Sequence, residues 1–339
     1  MKIIKVLFLI LGCSLFGCMD SGQRKPILQN PALLADDNNF KINTLEPETI
    51  HVNKDVAIRN YFKWMDSVVA THNSNHSYQI DEYILVHNNP WIIDTLAHTD
   101  YYYMMEKGIF NEDSQALFAL RKGQLINIPD SLQTINIKQR IANTYLDINI
   151  PEFKMRIIEN GKPIYKFPIR VGQNGKRYLA MANREVDMRT KPGIGTIIRV
   201  NKNPIFINPK DNHKYQTTRR DDGKVTKLPA IPWLEPTING QSLGQLIHPT
   251  TNLETLEKAY SNGCIGLREA DAWVVYYYAP LGTKVFLRYD LTGKNEAGEA
   301  IQFENIYPGF ENRTIQKEVL ETALQAIDGK PIPVCDCHL

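Results

Sequence analysis

Cysteine is scarce in this sequence, neither sign of charge is in excess, and no apolar run is long enough to cross a bilayer as a helix of the mature chain. The 339 residues hold five cysteines, 39 basic and 37 acidic side chains. So few thiols do not make the framework of a disulfide-stapled domain. Near-balanced charge gives no steering toward nucleic acid, so no nucleic-acid partner is expected. Internal repeats and low-complexity runs are missing as well. What is present is ordinary for a soluble globular chain, 43% hydrophobic and 22% charged, with length for two modest domains plus tails.

The first residues differ from the rest. Lys2 and Lys5 precede the apolar run Val6 to Leu11, which reads as a secretory signal. It ends in Leu15-Phe16-Gly17-Cys18, which resembles a lipobox. The resemblance implies cleavage after residue 17 and a lipid-modified Cys18, which would tether an exported protein to a membrane facing the periplasm or cell envelope. Cys13 would leave with the signal, and Cys264, Cys335 and Cys337 would remain beside the acylated Cys18. An unpaired Cys264 in an oxidising compartment calls for a chemical explanation.

Residues 18–55, rich in Asn, Asp, Pro and Gln at their start, read as a tether. Residues 56–80 hold a short amphipathic helix, because Ile58, Phe62, Met65 and Val69 recur at helical spacing. Residues 81–132 order as a strand at Tyr83 to Val86, helical stretches, then Gly123-Gln124-Leu125-Ile126-Asn127-Ile128-Pro129. That closing segment resembles the LysM glycan-binding module, implying a small α+β unit and glycan strands as a partner. From 140 to 290 the period changes to two. Leu146, Ile148 and Ile150 alternate with Asp147 and Asn149, and Asn160-Gly161 marks a hairpin followed by alternating Tyr165, Phe167, Ile169 and Val171. Further short strands are expected at Thr196 to Val200 and Ile205 to Ile207, with a hairpin at Asp222-Gly223. This part is expected to be mainly β, a sandwich or barrel. Residues 291–339 form a tail whose Ile315, Val319, Leu320, Ala323 and Ile327 predict a helix.

Chemistry concentrates near the end of the β region. Gly244 to Thr251 contains His248 after an apolar strand, a helical stretch follows with Leu253, Leu256 and Ala259, and then comes Ser261-Asn262-Gly263-Cys264-Ile265-Gly266-Leu267-Arg268. At neutral pH only a few per cent of a free thiol is thiolate, so a neighbouring imidazole that accepts its proton makes it a usable nucleophile. Gly263 lets the backbone approach a substrate carbonyl, and N–H groups around Gly263 and Cys264 suit a developing oxyanion. No paired His, Asp and Glu spacing in this region suggests a metal, and no cofactor is expected.

The joint pattern of His248, Ser261, Gly263, Cys264 and Ile265 resembles the catalytic segment of the L,D-transpeptidase (YkuD-like) family, over roughly 150 residues. The resemblance implies a transpeptidase-type β-sandwich or barrel with a short helix beside the active site. It implies Cys264 as nucleophile, His248 as base, and peptidoglycan stem peptides as substrates. It also implies acyl transfer from a tetrapeptide through a thioester to an amine or to water, and acylation of Cys264 by a carbapenem. Asn262 stands where the family commonly has a second His, and Gly266 where many members carry a substrate-contacting Arg. Substrate contacts are therefore expected from Ser261, Asn262 and Arg268, with Arg220 or Arg219 as a further source of charge. The Pro249 carbonyl is expected to orient the imidazole. The rival reading is a peptidoglycan-binding lipoprotein that has lost activity.

Overall fold

The structure is a computed structural model and describes residues 48–295 and 297–311. The signal, the lipidation site Cys18, the helix expected at 315–327 and Cys335 and Cys337 lie outside the described residues.

The centre is a nine-stranded, predominantly antiparallel sheet. Its strands are β1 (Thr144–Asn149), β2 (Lys154–Glu159), β3 (Lys162–Pro168), β4 (Gly193–Asn201), β5 (Trp233–Ile238), β6 (Gln241–Ser242), β7 (Ile247–Pro249), β8 (Ile265–Leu267) and β9 (Lys284–Arg288). They run in the order β8-β7-β5-β4-β9-β1-β2-β3, with β6 hanging off β5. Two neighbouring pairs are parallel, β7 with β8 and β9 with β1. Alternation sets which face is buried: Leu146, Ile148, Met155 and Ile157 are completely covered. Asn160 and Gly161 both adopt positive φ, 51° and 75°, and join β2 to β3 in the hairpin their chemistry predicts.

The two ends of this sheet meet. Just past β3, Arg170 exchanges both backbone hydrogen bonds with Gly266 of β8, each 3.0 Å long. The curled sheet is thereby closed into a barrel-like body, as the alternating pattern predicted.

Helix α1 (Ile58–Asn75) buries Ile58, Tyr61, Met65, Val68 and His72, a single stripe at spacings of three and four. Three short helices follow, α2 (Glu82–His87), α3 (Trp91–Ala97) and α4 (Tyr101–Glu106), and then α5 (Ser131–Ala142), which opens on a capping box between Asp130 and Gln133. Helix α6 (Glu269–Tyr278) is apolar nearly all round and buried, with Trp273, Tyr276 and Tyr277 fully covered. Aromatics of this size each remove roughly 150–250 Å² from water. The Tyr61 hydroxyl meets that of Tyr277 at 2.6 Å, and Tyr276 donates to Glu82, which Lys202 neutralises at 2.9 Å. Helices α1, α2 and α6 thus share one core.

Several expectations are corrected. Tyr83 to Val86 is helical, because Asp81 caps the Ile84 N–H at 2.8 Å and Ile84, Leu85 and Val86 are all buried, leaving no polar face to alternate. The strand that pairs with Leu125–Asn127 is Thr49–His51, inside the segment read as tether. Ile205 to Ile207 contributes only a single bridge, Ile207 to Lys214, with Ile205 left exposed. The helical stretch after His248 shortens to a 3₁₀ turn, Leu253–Thr255. Glu257 at φ 56° breaks it, and Ala259–Ser261 is a strand beside Val171 and Gly172. Thr292–Lys294 and Ala300–Gln302, assigned to the tail, pair as antiparallel strands.

Candidate active site

The parallel pairing of β7 with β8 decides the site. It sets Ile247 beside Ile265 and His248 beside Gly266, so His248 stands next to the strand that Cys264 immediately precedes. The join is tightened by two bonds on Leu246. Its carbonyl accepts from Ile265 N–H at 2.8 Å, and its own N–H donates to Cys264 Sγ at 3.4 Å.

His248 and Cys264 are both half-buried. The imidazole Nδ1 lies 2.8 Å from the Pro249 carbonyl, which can only accept, so Nδ1 carries the proton and Nε2 the lone pair. Burial, reinforced by the Arg170 charge and opposed by the Pro249 hydrogen bond, lowers the His248 pKa to about 4. Burial raises that of Cys264, while the Leu246 N–H and Arg170 work against the rise. At neutral pH the pair rests as thiol and neutral imidazole. The Trp233 ring lies against His248, centroids 5.2 Å apart, with Phe206 edge-on behind it at 4.9 Å.

The loop before Cys264 is built from small groups for a geometric reason. Gly263 has φ 108°, which a residue with Cβ rarely adopts, and its Cα would stand 2.9 Å from a Cβ on Gly172. Ser261 Oγ donates to the Cys264 carbonyl at 2.5 Å and accepts from the Gly263 N–H at 3.2 Å. The Gly263 N–H is therefore engaged, and the oxyanion expectation falls on the N–H of Cys264. Thr190 braces the same turn, donating to the Gly263 carbonyl at 3.0 Å and accepting from Gly172 N–H at 2.8 Å. Tyr307, fully buried, reaches from the segment read as tail to donate to the Gly172 carbonyl. Asn262 accepts from Gln173 at 3.4 Å.

Arg220 is buried in an ion pair with Glu269 at 2.5 Å, Arg219 donates to the Gly223 carbonyl at 2.8 Å, and exposed Arg268 precedes α6. The guanidinium that influences both His248 and Cys264 belongs to Arg170. In the sequence it occupies an outward position of an alternating strand, and no local signal marks it. Trp233, Thr190 and Tyr307 escaped notice for the same reason.

Among the described residues, Glu48, His72 and His76 bring potential metal-ligand atoms within 4.8 Å of one another. The two imidazoles stack face to face, centroids 3.9 Å apart and planes 9° from parallel, so no one cation lies in the plane of both rings. They stand at the end of α1, outside the β domain, and no metal enters the chemistry below.

Residues 143–287 match the family model of the L,D-transpeptidase catalytic domain (YkuD), and this segment is a domain of that family. Similar solved structures include an L,D-transpeptidase from Mycobacterium smegmatis (14% identity, TM-score 0.30), covering 43% of this chain and 58% of that one. L,D-transpeptidase 3 from Mycobacterium tuberculosis with a faropenem-derived adduct shares 18% identity, TM-score 0.30, over 43% of this chain and 60% of that one. Residues 123–326 of the Xylanimonas cellulosilytica L,D-transpeptidase share 12%, TM-score 0.32, over 72% of this chain and all of that one. This chain therefore spans less than two thirds of the two mycobacterial proteins. No curated protein matches the sequence. Among the described residues, no helix is long and apolar enough to cross a membrane.

Proposed function

We propose that the protein is an exported, lipid-tethered cysteine L,D-transpeptidase acting on peptidoglycan stem peptides. The observation that carries this reading is the β7–β8 register, which sets His248, with a free Nε2 lone pair, beside the strand that Cys264 immediately precedes. Cys264 Sγ attacks the carbonyl at the L-centre before the terminal D-residue of a tetrapeptide, and its proton passes to Nε2. Collapse of the tetrahedral intermediate forms the thioester and expels the D-amino acid, whose amine takes the proton from His248. An imidazolium whose pKa lies near 4 gives that proton up readily. An acceptor amine, or water, then loses a proton to Nε2 as it attacks the thioester. The Cys264 N–H faces the oxyanion in both halves.

The upstream module, where Thr49–His51 and Leu125–Asn127 pair around a set of helices, is proposed to hold the enzyme on glycan strands. Co-sedimentation with glycan strands stripped of their stem peptides tests this. Binding no better than that of an unrelated protein removes glycan from the reading.

The decisive experiment incubates the protein with disaccharide-tetrapeptide and reads products by mass. Release of the terminal D-residue, a cross-linked dimer or the tripeptide, and loss of all three in Cys264→Ala, are the expected results. A carbapenem is expected to add one drug mass to the parent and none to the variant. Release at the parental rate by Cys264→Ala removes Cys264 from the mechanism. Absence of turnover in the intact parent favours a wall-binding protein.

A further inference from the structure

Arg170 sits at the seam where the sheet closes. Its backbone is bonded to Gly266 in both directions, and its side chain runs over the face where Gly266 has no Cβ. A Cβ there would stand 2.5 Å from Arg170 Nε and 2.6 Å from Cγ, so any larger residue at 266 displaces the arginine. The same Gly266 lies beside His248 on its other flank and two residues after Cys264. Three neighbouring strand positions therefore carry a cation, a bare backbone and the candidate base.

The environment of this cation is unusual. Arg170 Nη1 donates to Thr255 Oγ1 at 3.2 Å, and Nε is buried without a partner. Among the described residues no carboxylate pairs with it. Burying guanidinium nitrogen without an anion is costly, and an anion formed nearby offsets part of that cost. The groups whose charge it feels are Cys264, Tyr215 and Tyr260, and its own charge acts on His248; of these the Cys264 thiol is the one that the proposed reaction ionises.

We propose that Arg170, carried over Gly266, is the positioning residue that serves as counter-ion to the Cys264 thiolate, in place of a protonated His248. This deepens the transpeptidase reading and rests on it for the role of Cys264, but the charge relation itself exists without substrate. The sign of each effect follows from one positive charge. Arg170 favours the thiolate, working against the rise that burial imposes on Cys264, and it disfavours an imidazolium at His248, adding to the fall that burial causes there. His248 is thereby kept neutral and available to accept a proton, while negative charge on Sγ leans on a cation that does not titrate in this range.

The test needs no peptidoglycan. The rate of iodoacetamide alkylation of Cys264 in the full chain is followed against pH through the mass of its peptide, for the parent, Arg170→Met, Arg170→Lys, Gly266→Ala and His248→Ala, each checked for an unchanged thermal midpoint. The expected result is an Arg170→Met midpoint about one pH unit or more higher, which is about tenfold slower alkylation at a fixed pH below it. Arg170→Lys recovers most of the difference, and Gly266→Ala, which leaves Arg170 in the sequence but pushes it off its seat, shifts the midpoint the same way. His248→Ala moves it less than Arg170→Met does. A parental midpoint in both folded Arg170→Met and Gly266→Ala overturns the proposal. So does a larger shift in His248→Ala than in Arg170→Met, which would make the imidazolium the counter-ion. Failure of the transpeptidase reading shows separately, as absent turnover with these alkylation shifts intact.

Discussion

Two arginines, Arg220 buried and Arg170 half-buried, mark two regions that the same kind of side chain serves differently. Around Arg220 the charge is met by a carboxylate. Glu269 pairs with it at 2.5 Å, Thr226 accepts from Nε at 2.8 Å, and the Tyr101 ring lies 4.5 Å below the guanidinium. These partners come from α4, α6 and the hairpin between Thr217–Arg219 and Val225–Lys227, so the pair ties the helical part to the β body. Around Arg170 there is one hydroxyl, a bare glycine and the candidate dyad. A buried cation that is fully paired holds structure, and one left without an anion beside a thiol is available to chemistry.

The comparison is broken most directly at the dyad. His248→Ala is expected to lower turnover on the order of 10²-fold or more while leaving the thermal midpoint near parental, since it removes the base and little packing. Steady-state kinetics beside a melting curve check both halves, and a large fall in the midpoint would mean that the dyad side is structural too.

On the paired side the pattern reverses. Glu269→Ala leaves Arg220 buried and unpaired, which is expected to cost roughly 3–5 kcal/mol of stability. Urea unfolding measures it. The Cys264 alkylation midpoint is expected to stay where it is in whatever fraction remains folded.

The pH profile sharpens the contrast further. Because burial and Arg170 hold His248 down at about 4, the acid limb of kcat/KM is expected near pH 4 rather than near 6.5. A limb at the ordinary histidine value would show that the imidazole is neither buried nor under a neighbouring charge in solution.

The smallest effect is expected at Asp271, beside the paired region. Burial raises its pKa to about 7, helped by Asp100 and opposed by Arg268, and one of its oxygens has no partner. A carboxyl whose folded pKa is raised contributes stability that is full below its ordinary value of 3.8 and is lost as pH rises through about 7. Asp271→Asn should therefore melt above the parent at pH 8, the advantage shrinking as pH falls toward 4. A constant difference at all pH values would remove the titration.

Local chemistry carried much of this molecule into plain sight. Period-two alternation announced β1, β2 and β3, Asn160-Gly161 their turn, and the stripe of α1 its helix, because each depends on neighbours a few residues apart. The same holds for Ser261-Asn262-Gly263-Cys264, a turn whose small residues follow from backbone geometry and whose thiol demanded an explanation. Tyr83 to Val86 was misread because a short apolar run carries no period, and the Asp81 cap with burial on all sides settled it as helix. The partners of Thr49–His51, the seat of Arg170 and the brace from Tyr307 through Gly172 to Thr190 were invisible, since each joins segments far apart in the chain. The sequence by itself determined which thiol and which imidazole were candidates, because their types and local settings are written in consecutive residues. Only the tertiary structure decided which cation lies over Gly266, because a charge acts through space, and Arg170 reaches Gly266 solely where one end of the sheet closes on the other.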